Sequence, residues 1–434
     1  MEANKAAKNA LKHVLKAKKG EKITIFCDET KAQIGEAFKK GAQSLELETK
    51  LILLDVNIKR PRQEIPVELD EHLTTQRANI YINLLEGNRE ETTFRIKLIH
   101  KETDDKQTRL GHCPGVTLDM LSNGALALSE KEHKKMQTFA KDLIKRLENA
   151  IRMEITTQAG TKLSLSVKNR HFFTDTVVDW ELMKWMNLPT GEVIVAPIED
   201  SLEGKLVCDA AIGGIGPVEK PVIIKVKKGK VDAVTSENSQ VLKRVQDSLH
   251  TDLAAKVVGE FAFGINPKAR FGEEFLETEK MQGTIHIAFG DNSDMPGGKN
   301  SSANHMDFMM HKPTVNAINK DGSIIKILVN GEFQPIITEN EQPHNLQDEE
   351  KLPVSEIYRI INHITIYKTD LWWEAIVIFE MYNKRQIGLY LWQKRNGQWK
   401  RKHKFGIRNT NEWMKIKNAI EELLPKMAEN NQPI

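Results

Sequence analysis

Cysteine is scarce in this chain, and its scarcity argues against the disulfide-stabilised folds of small secreted proteins. The 434 residues include three cysteines, Cys27, Cys113 and Cys208, which lie far apart and are odd in number. Such a set predicts a reducing environment, and we therefore expect a cytoplasmic protein. Because no two cysteines form a CxxC pair, the sequence also argues against a structural zinc site of the cysteine type.

Long apolar runs and a strong net charge are also missing. No apolar run is long enough to cross a bilayer, and the N-terminal residues lack the apolar stretch of a signal peptide. The formal net charge is only +3, which indicates that the whole chain is not built to bind polyanions. Neither a GxGxxG motif nor a P-loop follows a predicted strand in the first 125 residues. We therefore predict no membrane association, and we assign no nucleotide site to this region.

Residues 1–125 alternate between helix and strand signals. Apolar residues at helical spacing predict helices over Lys8–Lys18 and Lys31–Ala42. Short apolar runs predict strands, and these runs are Lys22–Cys27, Leu51–Asp55, Ile80–Leu85 and Phe94–Ile99. The alternation predicts an α/β domain with an open, mostly parallel sheet.

Residues 126–337 have a different pattern, which predicts a β-rich α+β domain. A charged amphipathic helix is predicted over Glu130–Leu147, at the start of this region. Alternating runs such as Lys162–Val167 and Pro221–Val226 predict strands. A second helix is predicted over Val241–Val258, and we interpret the glycine that follows it as its stop.

Carboxylates and imidazoles recur in this second domain. Glu192 follows a Pro-Thr-Gly turn, Glu260 follows the glycine just mentioned, and His286 lies within an apolar strand. His305 and Asp307 are two residues apart, so both side chains lie on the same face of an extended strand. Carboxylate oxygens mixed with imidazole are typical ligands of a first-row divalent metal used for catalysis. We therefore predict that these five residues form a metal site.

Charge favours two ions in such a site. Three ligand carboxylates around one dication would leave the pocket negative, which is unfavourable after desolvation. Two dications with a bridging hydroxide would nearly balance the three carboxylates, and together they could polarise a carbonyl and lower the pKa of bound water.

The segments around these residues resemble the aminopeptidase T/aminopeptidase S family of metallo-aminopeptidases. Four motifs carry the resemblance: Asn187–Val193 (NLPTGEV), Gly259–Pro267 (GEFAFGINP), Gly283–Gly290 (GTIHIAFG) and Asn304–Asp307 (NHMD). The resemblance extends over about residues 1–335 and is weaker before residue 150 than after it. It implies a homodimer that removes N-terminal amino acids from peptides by means of a metal-bound hydroxide.

The resemblance also implies particular roles for particular residues. The ligands of two divalent ions (zinc, cobalt or manganese) would be Glu192, Glu260, His286, His305 and Asp307. Glu260 would bridge the ions or lie close to both, and Glu192 and Glu260 are the candidates for the catalytic proton shuttle. One family feature is missing, because the family's tyrosine shortly after the strand histidine has no counterpart in Gly290–Pro296, where Ser293 lies.

Because this tyrosine is missing, a second hypothesis for the enzymatic function stays open. Ring-cleaving dihydroxypyridine dioxygenases resemble the same family and keep two histidines and one aspartate around a single Fe(II) ion. His286, His305 and Asp307 would then form a facial triad. His112, at the junction of the two domains, would be the acid–base residue. A third reading is a binding protein that has lost catalytic activity.

Residues 353–434 form a third predicted unit, a small α+β module that follows a polar, acidic linker over residues 338–352. Predicted hairpin strands, Ala375–Tyr382 and Gln386–Trp392, precede a basic ribbon at Trp399–Phe405. A final helix, predicted from about residue 410 to Pro425, has an apolar stripe that we expect to be buried: Trp413, Ile416, Ile420, Leu423 and Leu424.

This module is similar in outline to the transcriptional coactivator family that binds single-stranded DNA. The similarity is carried by Leu389–Trp413, in which tryptophans alternate with lysines and arginines. Aromatic rings can stack on bases while basic side chains contact phosphates. The resemblance therefore implies a single-stranded nucleic acid as a partner of this module.

Overall fold

Two compact units, residues 1–334 and residues 335–434, divide the chain. The structure is a computed structural model, and it describes residues 1–54, 59–105, 108–179, 184–335, 352–355, 357–381, 384–395 and 397–428. The predicted linker over residues 338–352 lies outside the described residues except for Leu352. The predicted domain boundaries stay predictions.

The first unit contains most of the helices and strands. Its helices are α1 (Ala3–His13), α2 (Ala32–Gln43), α3 (Val67–Thr75), α4 (Thr92–Glu102), α5 (Leu118–Ser122), α6 (Glu130–Leu147), α7 (Ser239–Leu249) and α8 (Phe275–Thr278). Short 3-10 turns lie at Glu29–Lys31 and Arg89–Glu91. Its strands are β1 (Lys22–Asp28), β2 (Glu48–Leu54), β3 (Ile80–Leu84), β4 (Arg109–His112), β5 (Ala150–Thr156), β6 (Lys162–Ser166), β7 (Phe173–Thr174), β8 (Trp185–Asn187), β9 (Glu192–Val195), β10 (Glu203–Cys208), β11 (Ala211–Ile212), β12 (Gly216–Pro217), β13 (Val222–Lys227), β14 (Lys230–Ser236), β15 (Val258–Gly264), β16 (Ile285–Gly290), β17 (His305–Met310), β18 (Thr314–Asn319), β19 (Ile324–Val329) and β20 (Glu332–Phe333).

A parallel sheet organises the N-terminal part and confirms the predicted α/β architecture. Its strand order is β2-β1-β3-β4-β8, with every neighbouring pair parallel. Helices α1 and α2 pack on one face through residues such as Leu11 and Phe38, whereas α3 and α4 pack on the other through Leu73 and Phe94. Because both faces are covered, β1 and β3 are almost continuously apolar and buried. The fifth strand, β8, comes from a later part of the chain.

The predicted strand at Phe94–Ile99 is wrong, because these residues belong to helix α4. The buried residues of α4 are Phe94, Leu98, Ile99 and Glu102, which follow a helical period. Ile96, which strand alternation would bury, is 46% exposed. The six-residue run alternates apolar and basic residues, and so short a run does not distinguish the two periods.

Two antiparallel sheets form the β-rich part and confirm the prediction for this region. One has the strand order β14-β13-β10-β6-β5-β18-β19-β20, and the other has the order β12-β11-β17-β16-β15-β9-β7. Apolar residues of both sheets and of α6 share one buried core, as Leu143, Ile224 and Phe308 illustrate. Helix α6 has the predicted bounds, and a capping box between Ser129 and Glu132 fixes its start.

The helix predicted over Val241–Val258 is too long. Helix α7 ends at Leu249, and Val258 begins strand β15 instead of ending a helix. Gly259 is therefore not a helix stop but an extra residue in β15, where the pairing with β16 shifts between Val258 and Glu260. A glycine inside a strand pattern is itself a signal for such a bulge.

The described residues of the second unit form one antiparallel sheet and one helix, which agrees with the predicted small α+β module. Its elements are β21 (Arg359–Lys368), β22 (Trp372–Met381), β23 (Lys384–Arg395), β24 (Gln398–Ile407) and α9 (Thr410–Ala428). The sheet order follows the chain order, and the sheet buries an aromatic face that includes Trp373, Phe379, Tyr390 and Trp392.

Helix α9 differs from the prediction in length and in burial. It continues past Pro425 to Ala428, and Trp413, Ile420 and Leu423 are exposed instead of buried. The side chain of Leu424 lies outside the described residues. An apolar stripe at helical spacing predicts a face but does not show whether another element covers it. Among the described residues, no helix is long and apolar enough to span a bilayer.

Candidate metal centre

Four neighbouring strands, β9, β15, β16 and β17, carry all five predicted ligands. Alternate residues of these strands, among them Val193, Phe261, Ile287 and Phe308, point into the shared apolar core. The residues between them therefore lie on the opposite face of the sheet, and these include Glu192, Glu260, His286, His305 and Asp307.

The bulge at Gly259 is what brings Glu260 to this face. Val258 pairs with Phe289, and both side chains belong to the apolar core. Without the extra residue, the side chain two positions after Val258 would also point into the core. With it, Glu260 pairs with Ala288 and shares a face with His286. A side chain at position 259 would collide with the backbone, because a Cβ there would lie 2.7 Å from the carbonyl oxygen of Gly290.

The first donor group consists of Glu260, His286, His305 and Asp307. The His286 Nε2 atom lies 3.2 Å from Glu260 Oε1 and 3.8 Å from Asp307 Oδ1. The His305 Nε2 atom lies 3.3 Å from Glu260 Oε2 and 3.4 Å from Asp307 Oδ1. Atoms of Glu260, His286 and Asp307 are near enough to one another to share an ion. The Nδ1 atom of His305 lies 2.8 Å from the carbonyl oxygen of Asp291, which orients this ring.

The second donor group consists of Glu192, Glu279 and His286, which could also hold an ion together. Glu192 Oε1 lies 3.6 Å from His286 Nε2. The other oxygen of Glu192 accepts a hydrogen bond from the buried ammonium of Lys280. Glu279 and Lys280 precede β16 and approach the sheet from the loop that follows α8. The two donor groups therefore share His286 but differ in their other contacts.

The backbone around Glu192 is held by Asp175. The carboxylate of Asp175 accepts hydrogen bonds from the N–H groups of Gly191 (2.9 Å) and Glu192 (2.7 Å). Gly191 has a φ of +140°, and a Cβ there would lie 2.5 Å from the Asn266 Cβ. The Pro-Thr-Gly turn thus needs glycine so that β9 can begin with Glu192 pointing into the site.

Electrostatics make this pocket attractive to positive charge. Burial lowers the pKa of His286, but its hydrogen bond with Glu260 and the nearby carboxylates of Glu192 and Asp307 outweigh burial and raise it to about 10. Burial also lowers the pKa of His305, but Asp307 and Glu260 outweigh burial and raise this pKa well above its usual value. Burial would raise the pKa of Glu260, but hydrogen bonds from both imidazoles lower it. Burial raises the pKa of Glu192 despite the Lys280 ammonium.

The donor set fits a divalent metal ion. Glu192 Oε1 is buried, points toward His286, and has no hydrogen-bond partner among the described residues. Such an atom is unfavourable unless a ligand or solvent satisfies it. Carboxylate oxygens and imidazole nitrogens are the ligands of catalytic zinc and related ions. The positions of the five predicted residues are consistent with a shared metal site, and their role as ligands stays a prediction.

His112 and Ser293 lie apart from these donor contacts. His112 ends β4 in the parallel sheet, where its ring meets the Trp185 ring edge-on and burial lowers its pKa to about 3. Ser293 is exposed and donates a hydrogen bond to the Asp291 carboxylate. Residues 128–333 contain no tyrosine, so no other tyrosine of this stretch can take the role of the missing family residue.

Three site residues were missed by sequence reasoning: Asp175, Glu279 and Lys280. All three are buried, although charged residues in loops are usually solvated. No periodicity marks them, because Glu279 and Lys280 follow a four-residue helix and Asp175 follows a two-residue strand. The only signal in the sequence is that Glu279 and Lys280 lie just before the Gly283–Gly290 motif, and Asp175 has no such signal.

The basic ribbon of the second unit lies on β24, at the edge of the sheet. Its lysines and arginines are exposed, whereas Trp392 is buried and Trp399 is partly buried against the aromatic core. The Lys404 ammonium lies over the rings of Tyr358 (4.4 Å) and Phe379 (4.5 Å). The exposed tryptophan of this region is Trp413, on α9.

Comparison with known proteins agrees with this geometry. Residues 128–333 match the family described as thermophilic metalloprotease (M29). Among solved structures, the chain is similar to 2,5-dihydroxypyridine dioxygenase from Pseudomonas putida KT2440, with a TM-score of 0.58, 15% identity, and coverage of 78% of this chain and 98% of that one. It is also similar to wild-type AmpT from Thermus thermophilus, with a TM-score of 0.56, 16% identity, and coverage of 77% and 99%.

At such low identities the two structures establish a shared fold and no more. No curated protein sequence matches the chain. The family match covers the β-rich region that carries all five predicted ligands, which confirms the family resemblance inferred from the motifs. Residues 128–333, slightly less than half of the chain, are therefore similar to the thermophilic metalloprotease (M29) family.

Proposed function

We propose that this chain is a metal-dependent, aminopeptidase-like hydrolase that releases N-terminal amino acids from peptides. The observation that carries the proposal is the convergence of three carboxylates and two imidazoles on one face of one sheet, within the region that matches the M29 family. Peptide substrate, homodimer and cytoplasmic location belong to the same proposal.

The first donor group is the principal metal site in this proposal, and the metal is zinc, cobalt or manganese. Such an ion supplies Lewis-acid polarisation of the scissile carbonyl and a water of lowered pKa. A second ion, if bound, would take its ligands from the second donor group.

Of the two candidate proton shuttles, Glu192 is better placed. Both oxygens of Glu260 lie within 3.3 Å of an imidazole nitrogen, so that residue is occupied in holding the two rings. Glu192 keeps Oε1 without a hydrogen-bond partner among the described residues and presents it to the centre of the site. A carboxylate that is held at one oxygen and open at the other can accept and return a proton at a fixed position.

The charge of the pocket also supports an aminopeptidase. With neutral imidazoles and one bound dication, its five carboxylates still outnumber, in formal charge, the three positive charges of the ion and Lys280. Asp307 and His305 lie at its more exposed side. A peptide N-terminus carries an ammonium group, which such a negative pocket attracts. The pocket therefore favours substrates that enter by their N-terminus, as an exopeptidase requires.

A mononuclear Fe(II) ring-cleaving dioxygenase is the second candidate. The absence of tyrosine from residues 128–333 favours it, because the family's oxyanion-stabilising residue is missing. His286, His305 and Asp307 would be the facial triad, and His112 the acid–base residue. His112→Ala separates the candidates, because it would abolish ring cleavage but should change peptide hydrolysis by less than about threefold.

Activity assays on the full chain, stripped of metal and reloaded under anaerobic conditions, test the proposal. We expect zinc, cobalt or manganese to restore release of amino acids from amino-acid amides, whereas ferrous ion and dihydroxypyridines should give no oxygen uptake. Oxygen uptake without amide hydrolysis would overturn the hydrolase in favour of the dioxygenase. Activity that persists without any metal would exclude both candidates.

For residues 353–434 we propose binding of single-stranded nucleic acid by the exposed basic residues of β24, with Trp413 as the available stacking residue. The full chain should then shift a single-stranded oligonucleotide in a gel at low salt, and affinity should fall steeply as salt rises. Absence of a shift at low salt would contradict the proposal.

A further inference from the structure

A buried lysine lies beside the second donor group, outside the roles assigned above. The Lys280 ammonium contacts Glu192 Oε2, and it lies 2.9 Å from Glu279 Oε1 and 3.8 Å from Asp175 Oδ2. An ammonium group is stable in a buried site only when carboxylates surround it. Lys280 is therefore the cation around which these three carboxylates are arranged.

The ammonium contacts the same carboxylates that a second metal ion would need. One oxygen of Glu192 is committed to Lys280, and the other points toward His286 in the first donor group. Glu192 can therefore present Oε1 to the first donor group while it stays bonded to the lysine. It could not also bind a second ion through Oε2 without displacing the ammonium.

Formal charge alone would admit two dications, because the five carboxylates of the site outnumber its one ammonium. The short distance between the second ion and the Lys280 ammonium, however, opposes binding of that ion. A dication held by Glu192 and Glu279 would lie within a few ångströms of Lys280, where like charges repel strongly in a buried site. In a site that lacked the lysine, this repulsion would be absent and the same carboxylates would be free.

We propose that the Lys280 ammonium takes the place of a second metal ion, so that the chain binds one divalent ion, at the first donor group. The inference rests on the metal centre of the proposed function and specifies its number of ions. It replaces the pair of ions that the family resemblance implies, and it gives the chain an ion count compatible with either candidate chemistry.

Counting bound ions in the full chain tests this inference. The protein is stripped with chelator and dialysed against Zn²⁺, and the ions bound per chain are measured by elemental analysis. We expect one in the wild type and two in Lys280→Met, which keeps the length of the side chain and removes its charge. The matched control is Lys268→Met, whose partly exposed ammonium lies 3.4 Å from Glu132, and it should bind one ion.

The other outcomes are equally decisive. Two ions in the wild type would overturn the inference and leave the metal centre intact. One ion in both the wild type and Lys280→Met would overturn it as well, because the lysine would then not be what excludes the second ion. No ion in the wild type would overturn the metal centre of the proposed function and this inference with it.

A second measurement removes the dependence on a variant that could fail to fold. The wild-type chain loaded with Mn²⁺ should give the electron paramagnetic resonance spectrum of an isolated ion. The spin-coupled spectrum of two adjacent ions would overturn the inference without any substitution.

Discussion

The two donor groups meet at His286 but are built differently. The first group lies on adjacent strands, where alternation places Glu260, His286 and Asp307 on one face and His305 at the exposed side. The second group is completed by Glu279, which comes from a loop together with its neighbour Lys280, and both residues are buried. The comparison shows how one site can combine an open half suited to an exchangeable ion with a closed half that carries its own cation.

Breaking the first donor group should give the largest effect. Glu260→Gln keeps the shape of the side chain but removes the charge that holds both imidazoles. We expect turnover to fall by about 10³-fold with an unchanged fold, measured by amide hydrolysis and circular dichroism. Glu273→Gln, an exposed carboxylate of the loop before α8, is the control and should keep full activity. Unchanged turnover in Glu260→Gln would remove this residue from the mechanism.

Changing the shared residue should weaken metal binding at both groups. We expect His286→Gln to lower metal affinity by about 100-fold or more, measured by competition with a chromophoric chelator, because a buried imidazole ligand is lost. The control is His250→Ala, at an exposed histidine directly after α7, and it should bind metal like the wild type. Wild-type affinity in His286→Gln would contradict the assignment of His286 as a ligand.

Metal binding should also depend on pH through the first donor group. In the metal-free protein the pKa of His286 is raised to about 10, so its ring carries a proton at neutral pH that an incoming ion must displace. Affinity should therefore fall as pH falls, by about tenfold per pH unit for each displaced proton. Competition titrations at several pH values between 6 and 9 measure the slope, and a flat profile would contradict this arrangement.

Disturbing only the carboxylates around Lys280 should affect stability more than metal binding. Asp175→Asn can still accept the two backbone N–H bonds, but it removes one of the carboxylates near Lys280. We expect a loss of about 1–3 kcal/mol in the free energy of unfolding, measured by urea denaturation, with metal affinity within about threefold of wild type. Loss of metal with unchanged stability would reverse the roles of the two groups.

The same contrast explains how much of the site could be predicted from the sequence. The first group lies on strands, where the spacing of His305 and Asp307 is informative because alternation fixes which residues share a face. The second group depends on Lys280, whose neighbours in the sequence give no sign of burial. A charge count therefore favours two ions with or without the lysine, and only the position of its ammonium next to Glu192 opposes the second ion.

The fold shows a similar limit. Helix α6 follows from a long periodic pattern, but Phe94–Ile99 is too short for its alternation to exclude a helix. The bulge at Gly259 is a single extra residue, yet it decides that Glu260 faces the site and not the core. The exposed face of α9 shows that a sequence pattern can identify an apolar stripe without showing which element, if any, covers it.

Anomalous diffraction at the zinc absorption edge, from crystals of the full chain loaded with Zn²⁺, tests the central claim most directly. The account predicts one strong peak among Glu260, His286, His305 and Asp307. A site without a peak at these residues, or with the ion bound elsewhere on the chain, would contradict the metal centre on which the proposed hydrolase depends.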